Sequence, residues 1–107
     1  MDTCKENCEK CYETCLLTFN YCVAQGGAHI DPNHLMVLRD CIEICRTAEA
    51  FLITGSRYHA LTCAVCERIC KDCAESCLNI QGDNVMEECA SVCMQCSESC
   101  ATMAKKL

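Results

Sequence analysis

Residues suited to burial recur along this chain in steps of three, four and seven, the period of one face of an α-helix. Breaks in that rhythm are few and evenly placed. Thr3-x-x-Glu6 reads as a capping box, so a first helix is predicted over residues 3–25, ended by Gly26-Gly27. Asp31 before Pro32 reads as an N-cap followed by proline at the first helical position, opening a second helix over 32–54 that Gly55 ends. Ser56 is expected to cap a third helix over 56–80, broken by Gln81-Gly82. Asp83 or Asn84 then caps a fourth over 83–106. Each spans about 22–25 residues, or roughly 35 Å at 1.5 Å per residue.

Four near-equal helices joined by short connections pack as an antiparallel up-down-up-down bundle. The chain holds one proline and lacks β-branched runs, so the fold class is all-α. At 107 residues it is read as a single domain, 1–107, long enough to bury a core without a disulfide staple.

What fills the inward faces changes the picture. Sixteen residues are cysteine, and they carry the helical rhythm. The first helix has Cys4, Cys8, Cys11, Cys15 and Cys22; the second Cys41 and Cys45. The third has Cys63, Cys66, Cys70, Cys73 and Cys77; the fourth Cys89, Cys93, Cys96 and Cys100. At about 100° per residue, the stripes of helices one, three and four fall in arcs of roughly 60°, 80° and 60°. The predicted fold is thus a bundle with a cysteine-lined core.

Simpler readings of so many thiols are disfavoured on physical grounds. A free cysteine is a small buried hydrophobe, but sixteen of them fill a core poorly compared with branched aliphatics. Stripe neighbours at i,i+3 and i,i+4 hold their Cβ atoms about 5–6 Å apart, whereas a disulfide wants about 3.5–4.5 Å. Bridges between helices remain geometrically open. Four CxxC units (Cys8–Cys11, Cys63–Cys66, Cys70–Cys73, Cys93–Cys96) lie mid-helix and repeat, unlike the single helix-N-terminal motif of a thioredoxin-type centre.

The opening Met1-Asp2-Thr3-Cys4-Lys5-Glu6 has no basic n-region, apolar h-region or small-residue cleavage site. The expectation is a cytoplasmic protein whose thiols stay reduced. No apolar run approaches the ~20 residues of a membrane span. With a formal net charge of −6, and Lys105-Lys106 the only basic cluster, nucleic acid is excluded as a partner.

Reduced thiols in stripes point to a soft metal, and Cu(I), zinc and iron–sulfur clusters compete. Four closed zinc sites would leave sixteen thiolate charges against eight positive ones, a costly buried imbalance. A monovalent ion sharing bridging thiolates at about one per sulfur leaves the core near neutral. A two-coordinate ion spans roughly 4.6 Å between sulfurs, which neighbours one turn apart can meet, whereas four-coordinate sites need several helices to converge. Iron–sulfur motifs wrap clusters in loops and often place a proline after cysteine; here no cysteine precedes proline and none sits in a loop.

The Cys4/Cys8/Cys11/Cys15, Cys63/Cys66/Cys70/Cys73/Cys77 and Cys89/Cys93/Cys96/Cys100 stripes resemble, across the whole chain, the cysteine-rich copper storage proteins of bacteria. Without a signal peptide the chain resembles the cytosolic branch. The resemblance implies a homotetramer of bundles, several Cu(I) ions per chain held chiefly by cysteine pairs, and a role in storing or sequestering copper. A copper chaperone or efflux system is an implied partner. The second helix departs from the pattern: it has two cysteines, with Leu38, Ala48 and Leu52 on the same face.

Further ligands are expected near the ends. His34 and His59 project onto the cysteine faces at opposite ends of the bundle and are candidate mouth ligands, as is Met103, whose thioether suits Cu(I). Met86 lies at the stripe's edge, Met36 and Met94 point away, and His29 is read as a solvated loop residue. Tyr12, Leu16, Phe19 and Val23 form a second apolar flank that can pack a neighbouring helix or another subunit. No catalytic arrangement or phosphate loop is found, so a binding protein rather than an enzyme is expected. Two alternatives stand beside copper storage: a metallothionein-like zinc or cadmium buffer, and a thiol–disulfide redox protein. Under the copper reading, neutral thiols let the bundle fold without metal.

Overall fold

The computed structural model describes residues 2–106. Four α-helices, α1 (Asp2–Gln25), α2 (Pro32–Thr54), α3 (His59–Leu78) and α4 (Asn84–Ala104), form a bundle of 42 × 20 × 17 Å. Each helix packs against its neighbours in the cycle α1–α2–α3–α4–α1. Contacts between opposite chain ends show the antiparallel up-down-up-down order: Cys4 meets Cys100, and His34 meets Ser76.

The punctuation explains most boundaries. Asp31 accepts from the Asn33 and His34 amides ahead of Pro32, and Gly55 ends α2 at φ 65°, a left-handed conformation that glycine adopts without penalty. Asp83 caps α4 by accepting from the Val85 and Met86 amides. Three expectations need correction. Thr3 lies inside α1, which is already helical at Asp2, so it is not the N-cap. Ser56 caps a turn, accepting from the Tyr58 amide at 3.1 Å, and α3 starts only at His59. Helices α3 and α4 end at Leu78 and Ala104, short of the expected 80 and 106. A short 3-10 turn, Gly27–Ile30, which periodicity does not reveal, fills the connection between α1 and α2.

The core is the thiol column. All sixteen cysteines are buried, joined by Leu38, Ile42, Ala48 and Leu52 of α2 and by Met86 and Met103 of α4. Small side chains let α3 and α4 approach: Ala74, Ala90 and Ser97 are buried, and the Ser97 hydroxyl donates to the Glu67 carbonyl at 2.9 Å. No described helix is long and apolar enough to cross a membrane.

Candidate metal centre

Helix periodicity delivers the ligands. Because every step is three, four or seven residues, each stripe stays on the inward face for the helix's length. All sixteen thiols are free. Neighbours on one helix stand close: Cys11–Cys15 at 3.9 Å, Cys41–Cys45 at 4.0 Å and Cys66–Cys70 at 3.7 Å between Sγ atoms. Separations between helices are as short: Cys45–Cys70 at 3.6 Å, Cys15–Cys93 at 3.6 Å and Cys11–Cys41 at 3.8 Å.

The thiols therefore converge in fours, which stripes considered one helix at a time do not reveal. The groups are Cys11/Cys15/Cys41/Cys93, Cys11/Cys41/Cys45/Cys70, Cys45/Cys66/Cys70/Cys96 and Cys8/Cys66/Cys96/Cys100, with Sγ atoms within 4.8 Å of one another. Each draws on three helices. A triad, Cys4/Cys63/Cys100, closes the series at the α1 N-terminal end. In this order each quartet shares two cysteines with the next, and the last shares Cys100 with the triad. Two quartets at most can be chosen without a common cysteine. Convergence of several helices is thus met, so geometry does not exclude four-coordinate ions. What disfavours independent closed sites is the sharing, which suits bridging thiolates.

Burial disfavours the thiolate along the column, while hydrogen bonds from neighbouring thiols outweigh it at Cys4, Cys41 and Cys96 and hold those three down. Burial pushes the Cys22 thiol up to about 11, with Cys89 and Asp83 adding to it. Neighbouring thiols, Cys11 and Cys41 foremost, raise Cys15, and Cys4 and Cys63 foremost raise Cys100; burial adds in both cases. Metal bound at a protonated thiol displaces that proton.

The histidines differ. His34 is buried; its Nε2 lies 3.4 Å from Cys22 Sγ and its Nδ1 2.7 Å from Ser76 Oγ. Burial lowers its pKa, favouring the neutral imidazole that metals need. His59 is half-buried, and its Nδ1 lies 2.8 Å from the Ser56 carbonyl. A carbonyl only accepts, so Nδ1 carries the proton and Nε2 keeps its lone pair. That Nε2 is buried and unpartnered. His29 is not a solvated residue: its Nε2 lies 2.8 Å from Asp83 Oδ2, with both side chains mostly covered. Met103 is buried in the core and Met86 fully so, while Met36 and Met94 are exposed. Thr18 and Ser97, which the sequence reading passed over, are also buried.

A family model described as Copper storage protein (Csp) matches residues 1–105. Among solved structures, a protein from Nitrosospira multiformis is 41% identical, with 99% of this chain and 95% of that one covered, at a TM-score of 0.93. The Cu(I)-bound copper storage protein BsCsp3 is 29% identical, with 96% of each chain covered, at a TM-score of 0.90. The apo form of copper storage protein 3 from Bacillus subtilis is 28% identical, with 96% and 97% covered, at a TM-score of 0.84.

Proposed function

The chain belongs to the copper storage protein family, and we propose that it stores many Cu(I) ions on the sixteen inward cysteines. The observation that carries this reading is the unbroken sharing of thiols from one quartet to the next. Monovalent ions on bridging thiolates neutralise such a column at about one ion per sulfur, whereas divalent ions in closed sites leave excess negative charge. The likeness to the Cu(I)-bound BsCsp3 supports the choice of metal, and the likeness to the apo protein supports a bundle that forms before metal binds. Binding and storage, not catalysis, is the function this family implies.

In this reading residues 1–107 are one metal-binding domain, and His34 and His59 add nitrogen ligands at its two ends, with Met103 a thioether beside the Cys100 end. The protein is cytoplasmic, exchanges copper with a chaperone or efflux system, and assembles as a homotetramer. Leu16 and Val23 support assembly: they lie exposed on the α1 flank while Tyr12 and Phe19 of the same flank lean on the core. Analytical ultracentrifugation tests the oligomer.

The deciding experiment is an anaerobic titration of the reduced protein with Cu(I) against a competing chelator. Tight uptake approaching the cysteine count establishes the store. Saturation at about four ions, with Zn²⁺ competing equally, leaves a general thiolate buffer instead.

A further inference from the structure

The sixteen cysteines are not equally accessible. Fifteen have no solvent exposure, and Cys4 alone has a measurable one, 2%. Cys4 forms part of the floor of a cleft of about 460 Å³ between the start of α1 and the end of α4. Its lining includes Asn7, Glu98, Ser99, Thr102 and Met103. Glu98 is the one charged residue there, and its sign favours a cation. At the other end of the bundle, a cleft of about 310 Å³ reaches His34 but no thiol. Behind it Cys22 is engaged by His34, which is held in turn by Ser76.

From Cys4 the sulfurs form an unbroken path inward. Successive Sγ separations are 3.6 Å to Cys100, 3.8 Å to Cys8, 3.7 Å to Cys96, 4.0 Å to Cys45, 3.6 Å to Cys70 and 3.7 Å to Cys41. An ion received at Cys4 can therefore step from sulfur to sulfur without leaving a thiolate environment.

We propose that the α1/α4 groove is the loading port, where Cu(I) held by a small thiol is handed to Cys4 and passed through the Cys4/Cys63/Cys100 triad into the column. This rests on the copper-store reading and adds the route. In the transfer, copper stays Cu(I). The bond to the donor sulfur breaks as the bond to Cys4 Sγ forms, and the proton shared between the Cys4 and Cys100 thiols, 3.6 Å apart, goes to the departing donor thiolate. Met103 offers a thioether at the same mouth.

The test obstructs the groove without substituting a cysteine. Ser99→Trp fills it, and Asn79→Trp fills the opposite cleft as control. Uptake from glutathione-bound Cu(I) is followed anaerobically by the growth of copper–thiolate absorbance, and final loading by metal analysis. The expected result is a fall of about tenfold or more in the initial rate for Ser99→Trp, within the ~1–3 decades over which rates vary among variants of one site. Its final copper count matches the unsubstituted protein, and Asn79→Trp loads at the unsubstituted rate. Should Ser99→Trp lose helix content, Thr102→Trp obstructs the same groove one turn-face away. Loading at the unsubstituted rate with the groove filled, or slowing by Asn79→Trp alone, overturns the port. A low final count in the unsubstituted protein instead overturns the storage reading, so the two failures are distinct.

Discussion

Nε2 of His29 lies 2.8 Å from Oδ2 of Asp83, joining the turn after α1 to the cap of α4. The same oxygen accepts from the Tyr21 hydroxyl at 2.8 Å, while Oδ1 accepts from the Val85 and Met86 amides at 2.9 and 3.1 Å. One carboxylate thus ties three segments together at the end of the bundle farthest from Cys4.

That carboxylate makes stability pH-dependent. The contact with His29, then those with Tyr21 and the two amides, hold Asp83 at about 2, below its ordinary 3.8. A depressed carboxylate pKa contributes stability above the unfolded value, and the contribution is lost as pH falls through the folded one. Asp83→Asn keeps a good capping residue but removes the charge. Thermal melts should show the unsubstituted protein ahead of Asp83→Asn at pH 5 to 6, the gap closing between about pH 4 and pH 2. A gap constant across that window would show that the charge contributes nothing.

Gly55 ends α2 at φ 65° with open space where a Cβ would stand. Gly55→Ala should therefore cost about 1 kcal/mol through backbone conformation alone, with no steric clash. Chemical denaturation of the metal-free protein measures it, and an unchanged midpoint would sink the argument.

Proton release should accompany loading. With Cys22 raised to about 11, and Cys15 and Cys100 also raised, these thiols are protonated through the neutral range. Each proton displaced weakens apparent Cu(I) affinity by up to about tenfold per unit fall in pH. Titrations at pH 6 and pH 8 with the same chelator should differ in that direction, and acid should be released in weak buffer. Pre-formed thiolates would give neither.

Position in the shared column should set the effect of losing a thiol. Cys45 belongs to two quartets, whereas Cys22 belongs to none of them and is hydrogen-bonded to His34. Cys45→Ser should lower the copper count by more than one ion per chain, and Cys22→Ser by no more than one. Equal losses, read by metal analysis of the purified variants, would argue against shared sites.

Much of this was legible in the residues. Steps of three and four put every cysteine on an inward face, and all sixteen are buried. Gly55, Asp31-Pro32 and Asp83 marked helix ends because capping depends on side chains a few residues away. Ser56 misled for a related reason. A serine can satisfy a turn amide as readily as a helix amide, and here it serves Tyr58, so α3 begins at His59. His29 was misread because its partner, Asp83, is far along the chain.

The sequence by itself determined the class of fold, the stripe of each helix and the soft, sulfur-lined character of the core. All three follow from backbone geometry within one helix and from the chemistry of sulfur. Only the tertiary structure decided which thiols meet. The shared quartets, the exposure of Cys4 and the His29–Asp83 contact depend on how far each helix is shifted and rotated against its neighbours. That register is set by packing across helices, through contacts such as Leu38 in the aliphatic wall of α2 and Ser97 on the Glu67 carbonyl, which no single-helix period encodes.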